Sequence, residues 1–267
     1  MNAFLGIDIG SLTCDGVLID DHGKLLADAV VPTGARNLEA IERVRRETLQ
    51  TAGLAATAVQ ATVSTGYGRD RVDGRLAAVT EITCHARGMQ TLFPETDILI
   101  DIGGQDSKAI RLDRRGGVSD FAMNDKCAAG TGRFLEAMAR ALQVDIAELG
   151  ELDRGARENL TLSSMCTVFA ESEVVSLIAD GKETREIVAG LNRAIASRIA
   201  ALVRRIGGDL GAFNLAMSGG VARNGGVVRA ISAILGRPLA VPENPDTVGA
   251  FGAALIARQR FLGAARA

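Results

Sequence analysis

The sequence predicts an α/β protein of two similar lobes with a cleft between them, and three observations carry that prediction. A short pattern occurs twice: Phe4 to Gly10 reads as an apolar strand that carries one Asp and ends at Gly, and Asp97 to Gly103 repeats it. Stretches with helical spacing fill the intervals. A further strand-like run, Phe213 to Met217, leads into Ser218-Gly219-Gly220. Strands and helices mixed in two matching halves belong to the layered α/β architectures. The first lobe is assigned to residues 1–96 with 245–267, and the second to residues 97–244.

In chain order, each repeated strand is followed by a second β-like run and a polar turn. The first turn is Asp20-Asp21-His22-Gly23, and the second is Asp113-Arg114-Arg115-Gly116-Gly117. One β-hairpin unit is therefore used twice. Asn37 is placed to cap a helix bearing Leu38, Ile41 and Val44. Ile187, Leu191, Ile195, Ile199, Leu202 and Ile206 form one stripe of a long helix that stops at Gly207-Gly208. Thr247 to Leu262 reads as a closing helix.

Composition narrows the function. The 267 residues are 47% apolar, enough for one core or two smaller ones. A net charge of −2, from 30 basic and 32 acidic residues, argues against nucleic acid or an anionic membrane as partner. The basic clusters Arg43, Arg45, Arg46 and Arg204-Arg205 read as solvated helix faces. With no Trp, one Tyr and two His, stacking platforms and a His-rich metal site are also missing. Asp8 interrupts the opening apolar stretch, and later runs fall short of the roughly 18 residues of a membrane helix. The expected location is the cytoplasm. The four cysteines, Cys14, Cys84, Cys127 and Cys166, lack the close pairing of a zinc ribbon or disulfide scaffold, so they are thiols or metal ligands.

An Asp at the end of a buried strand, followed by Gly and hydroxyl residues, suits phosphate and Mg²⁺. Asp8 offers a carboxylate to a hydrated Mg²⁺, while Gly10, Ser11, Leu12 and Thr13 let backbone N–H groups approach phosphate oxygens. Asp101, Gly103, Gly104 and Gln105 repeat the offer from the second lobe. Two such loops facing each other would grip a polyphosphate, which is what ATP hydrolysis requires of a protein: positioning and charge neutralisation. Gly219 and Gly220 then supply a flat backbone surface for adenosine. The chain has neither the P-loop nor the Rossmann glycine signature.

The phosphate loops Gly6 to Thr13 and Asp101 to Lys108, with the adenosine loop Ser218 to Asn224, resemble the superfamily of acetate kinase, sugar kinases, heat-shock chaperones and actin. Four further blocks tighten the match: Ser64 to Arg69, Glu81 to Ala86, Asn124 to Gly132 and Cys166 to Glu173 resemble the activators of 2-hydroxyacyl-CoA dehydratases, in family order over nearly the whole chain. The resemblance implies an actin-like (ribonuclease H-like) fold and an oxygen-sensitive homodimer. In it, Cys127 and Cys166 of each subunit together hold one 4Fe-4S cluster. Two thiolates per chain complete a cubane's four only when two chains share it. Both cysteines are expected at helix N-termini, where the dipole favours a thiolate. Cys14 and Cys84 are read as buried small hydrophobes.

The resemblance further implies ATP/ADP and Mg²⁺ as cofactors, ferredoxin or flavodoxin as reductant, and a dehydratase or related iron–sulfur protein as electron acceptor. ATP would close the lobes and rotate the helices that begin at Cys127 and Cys166, altering the cluster's potential so that an electron can pass to an acceptor that could not otherwise be reduced. Glu81 and Gln105 are the two candidates to orient the attacking water. One departure stands out, because Asp15 occupies the position where relatives carry a Lys after the first phosphate loop. Lys108 and Lys126 are the candidates to replace that cation. Alternative readings are the ATP-binding subunit of a benzoyl-CoA-type reductase, a sugar kinase on the same fold, and an actin-like filament or scaffold.

Overall fold

The computed structural model describes residues 2–264 apart from 115, 163–165, 208–210 and 212; the expected turn residue Arg115 and helix stop Gly208 lie outside these. The chain divides into two compact units, one of Met1–Thr96, Leu112–Ser119 and Pro242–Ala267, the other of Asp97–Arg111 and Asp120–Val241.

The first unit is organised around β1 (Ala3–Ile9), whose every residue is buried. Such a continuous apolar run is what a strand covered on both faces requires. It pairs antiparallel with β2 (Thr13–Asp20) and parallel with β4 (Val59–Gly66). β3 (Leu25–Pro32) and the short β5 (Ala77–Ala78) complete the order β3-β2-β1-β4-β5. Side chains alternate between the faces. Leu5, Ile7 and Ile9 pack with Ile41 and Val44 of α1 (Asn37–Ala52). Phe4 packs with Ala250, Ala253 and Ala254 of α8 (Val248–Ala264). At Gly6 a Cβ would overlap the Ala250 carbonyl oxygen, so only Gly lets β1 and α8 lie this close. Against α8 also lies α2 (Glu81–Leu92), where Gly88 and Gly252 allow the same backbone approach. Asn37 proves to be the first helical residue of α1, with Arg36 in the capping position, and Leu38 points outward.

The second unit repeats the plan. β6 (Ile98–Ile102) pairs antiparallel with β7 (Ser107–Leu112) and parallel with β9 (Leu215–Ser218). β8 (Val118–Asn124) and β10 (Leu239–Ala240) give the order β10-β9-β6-β7-β8, the same as in the first unit with each strand replaced by its counterpart. Ile98, Ile100 and Ile102 share one core with Phe134 and Met138 of α3 (Gly132–Leu142) and Ile195, Ile199 and Val203 of α6 (Thr184–Gly207). Around them lie the short α4 (Leu149–Leu152), α5 (Thr167–Ala179) and α7 (Gly225–Leu235), the last capped by the Asn224 side chain on the Val227 N–H. Among the described residues no helix is long and apolar enough to cross a membrane.

Candidate functional site

The loop after β1 is a tight turn in which the Gly10 N–H donates to the Thr13 carbonyl at 2.9 Å. Thr33 fixes it from β3's end, donating its hydroxyl to Gly10 O and its N–H to Leu12 O, each at 2.9 Å. Gly10, Ser11, Leu12 and Thr13 are half-buried, so the turn is held yet reachable. Asp8 points into a narrow recess. A Cβ at Gly66 would overlap its Oδ1, and a Cβ at Gly249 would overlap its Oδ2 and His85 Nε2. His85, on α2, brings Nε2 to 3.5 Å from Asp8 Oδ2, and both side chains are buried. Glu81 stands half-buried in the first turn of α2, after the Thr80 cap.

The loop after β6 is the same turn, with the Gly103 N–H on the Asp106 carbonyl at 3.0 Å. Asp101 is 2% exposed and both its oxygens are occupied. Ser218 donates its hydroxyl to Oδ1 at 2.9 Å, and Lys108 Nζ lies 3.2 Å from Oδ2. Lys108 Nζ is also 2.8 Å from Asp106 Oδ2, and it is 1% exposed. A buried charge must be paired, and here one ammonium serves two carboxylates. Gln105 stands exposed at the tip of this loop, while Lys126 is exposed on the loop preceding α3.

The repeat explains the Asp15 departure in structural terms. Asp15 lies across from Asp8 between β1 and β2, as Lys108 lies across from Asp101 between β6 and β7. Where the second unit sets a cation beside its loop carboxylate, the first sets a second acid, buried and accepting from Thr13 Oγ1 at 3.2 Å. Lys108 is thus engaged inside the second unit by Asp101 and Asp106.

After β9 the chain turns at Gly219, whose φ of +85° and closeness to the Ile102 carbonyl oxygen and Asp101 Oδ1 both demand Gly. Gly220 opens a 3-10 turn (Gly220–Arg223) that ends at the capping Asn224.

The four cysteines separate into two classes. Cys14 and Cys84 are fully buried. Burial, reinforced by Asp15 and Asp8, holds the Cys14 thiol far above its usual range, and burial pushes Cys84 up to about 12. Cys127 and Cys166 are half-buried. Cys166 stands in the N-cap position of α5, without a side-chain hydrogen bond to the helix. The expectation of a helix start at Cys127 does not hold: α3 begins at Gly132, with Thr131 in the capping position. The reason is the loop after β6, whose Gly103 and Gly104 carbonyls accept from the Gly132 and Arg133 N–H groups at 3.0 and 2.9 Å. The helix therefore starts where those carbonyls are, and Cys127 lies in the loop before it.

His85, Asp106, Ser218 and Thr131 fall inside motif blocks legible in the sequence, which gave none of them a role of its own. The matching cross-strand positions of Asp15 and Lys108 were readable from the repeat itself, whereas the other contacts arise only when distant segments meet.

Comparison with known proteins follows the same lines. The model of the BadF/BadG/BcrA/BcrD ATPase family matches residues 5–257. The activator of lactoyl-CoA dehydratase of Anaerotignum propionicum is 45% identical over 253 residues, covering 95% of this chain and 96% of that protein. The solved activator of the 2-hydroxyisocaproyl-CoA dehydratase from Clostridium difficile, with bound ADPNP, superposes with a TM-score of 0.93 at 40% identity, over 99% of this chain and 97% of that one. A ROK-family glucokinase from Streptomyces griseus shares the fold alone, with a TM-score of 0.59 at 15% identity over 97% of this chain and 100% of its own. The architecture is the actin-like α/β fold, and the chain belongs to the BadF/BadG/BcrA/BcrD ATPase family.

Proposed function

We propose that this ATPase is the activator of a 2-hydroxyacyl-CoA dehydratase, spending ATP to deliver single electrons to that partner through a 4Fe-4S cluster held between two copies of the chain. The observation that carries the proposal is the division of the cysteines. Two are sealed in the first unit and two, Cys127 and Cys166, are half-buried in the second. Two half-buried thiols per chain fit half of a cubane's ligand set. Among the described residues no group of three or more His, Cys, Asp or Glu is arranged to hold a metal within one chain. Next to Cys166, Val168 and Phe169 of α5 are 65% and 67% exposed and Val175 is exposed as well. An apolar helix face of that kind suits burial against a second copy.

When bound, such a cluster supplies reversible one-electron storage at low potential. Cys127 and Cys166 would ligate it, and ferredoxin or flavodoxin would be the reductant. In the nucleotide chemistry, the N–H groups of Ser11, Leu12, Thr13 and Gly104 would meet phosphate oxygens, while Gly10 and Gly103 hold the two turns through their N–H bonds to the Thr13 and Asp106 carbonyls and Gly219, Gly220 and Asn224 stand against adenosine. Asp8 would serve a hydrated Mg²⁺, and Asp101 would act on it through water, since its own oxygens already face Ser218 and Lys108. Gln105, exposed at its loop tip, and Glu81, in the first turn of α2, remain the two groups to orient the attacking water.

The test is anaerobic. Protein purified without oxygen and reduced should hydrolyse ATP and switch on a 2-hydroxyacyl-CoA dehydratase only when ATP is present. Activation that proceeds equally without ATP would refute the proposal.

A further inference from the structure

We infer that Thr131 is the residue that couples the nucleotide loop to the Cys127 loop, so that phosphate bound at Gly104 and Gln105 fixes the backbone that carries the cysteine. This rests on the proposed ATP site and goes beyond it by naming the connection. Thr131 is fully buried, and its hydroxyl is 2.6 Å from the Ala128 carbonyl oxygen and 3.1 Å from that of Gly104. One proton is thus shared between the segment after Cys127 and the second phosphate loop. Its own N–H donates to the same Ala128 carbonyl at 3.0 Å. The neighbouring Gly132 and Arg133 N–H groups donate to Gly103 O and Gly104 O.

The cysteine loop is tied at its other end by Asn124, whose side-chain amide donates to the Cys127 carbonyl at 3.1 Å. Between Asn124 and Thr131 the chain makes a short closed loop, turned by Gly130 at φ +86°. Thr131 is where that loop meets the phosphate loop through a side chain. An ordinary capping Thr accepts from the helix's own N–H groups. This one donates backward to two carbonyls instead, which serves the link between loops rather than the helix. When the N–H groups of Gly104 and Gln105 take up a phosphate, the Gly103 and Gly104 carbonyls on the opposite edges of the same peptide planes become fixed. Thr131 passes that constraint to Ala128 and so to Cys127. A continuous chain of hydrogen bonds that one ligand tightens is a physical route for coupling two sites.

The experiment follows Cys127 in the full-length chain prepared without iron, by iodoacetamide alkylation read as peptide mass, with and without MgADP. Nucleotide affinity is measured in parallel by calorimetry. In the wild type, MgADP should slow Cys127 alkylation at least about fivefold, the lower end of ordinary coupling between sites. Thr131→Val keeps the shape and removes the donor; it should bind MgADP within about twofold of wild type yet show less than about twofold slowing. Thr131→Ser restores the hydroxyl and should restore the slowing. If Thr131→Val still slows like wild type, or if it loses nucleotide affinity as much as it loses slowing, the inference is wrong. Wild-type protein that binds MgADP with no change at Cys127 also overturns it. Wild-type protein that does not bind MgADP overturns the nucleotide site itself.

Discussion

Replacing Lys108 by Met removes one buried charge at nearly constant volume and leaves Asp101 and Asp106 facing each other. Lys108 Nζ stands 2.8 Å from Asp106 Oδ2 and 3.2 Å from Asp101 Oδ2, with side-chain exposures of 1%, 5% and 3% for the three residues. At about 4 Å, a single pair is worth about 1 kcal/mol in water and about 4 kcal/mol at the effective dielectric of a protein. Breaking a buried pair by removing one partner costs about 3–5 kcal/mol, because the abandoned charge stays desolvated. That is a large part of a total stability of about 5–15 kcal/mol. With a urea slope of about 2 kcal/mol per molar, the midpoint falls by about 1.5–2.5 M. Urea unfolding followed by far-UV circular dichroism measures the drop. Hydrogen exchange of the β6 and β7 peptides assigns it to the second unit. Adding Asp106→Asn to Lys108→Met removes one of the stranded charges and should return about 1 kcal/mol or more. A Lys108→Met protein within about 0.5 kcal/mol of wild type, or a double variant no better than the single, would refute the electrostatic account.

Asp15→Lys puts beside Asp8 the kind of cation that Lys108 sets beside Asp101. With about 1 kcal/mol from one added phosphate cation, ATP should bind about fivefold tighter by calorimetry, and unchanged or weaker binding counts against the repeat logic. Gly249→Ala drives a methyl into Asp8 Oδ2 and His85 Nε2, and a misplaced carboxylate of that kind should lower kcat of ATP hydrolysis about a hundredfold. Thiol labelling of iron-free protein at pH 8 should mark Cys127 and Cys166 and spare Cys14 and Cys84. The Cys84 thiol is raised from its usual 9.0 to about 12, so the unfolded chain loses this proton first as pH rises. Folding stability is therefore undiminished by Cys84 below pH 9 and declines between about 9 and 12; Cys84→Ala should flatten that decline in urea titrations at pH 8 and pH 10.5.

Much of this molecule is legible in its sequence because local patterns and buried strands coincide. FLGIDIG and DILIDIG each fill a central strand, and the Gly after each marks the turn that could hold phosphate. The stripe from Ile187 to Ile206 lies in α6, and the closing helix starts one residue after Thr247, whose carbonyl accepts from Phe251 N–H. The strand expected from Phe213 begins at Leu215. What local pattern could not disclose depends on residues far apart in the chain. Ser218 reaches Asp101, His85 reaches Asp8, and Gly132 reaches Gly103 only after folding. The last of these is also why α3 starts later than the apolar spacing after Cys127 implied. Helix periodicity fixes a face but not the turn at which N–H groups find outside acceptors.

The shared cluster is the claim on which the rest depends, and iron and sulfide counting on anaerobically purified protein tests it most directly. A cluster shared by two chains holds about two irons and two sulfides per chain in a dimer, and Cys127→Ser or Cys166→Ser should hold almost none. About four irons per chain in a monomer, or a Cys127→Ser protein with its iron intact, would contradict it.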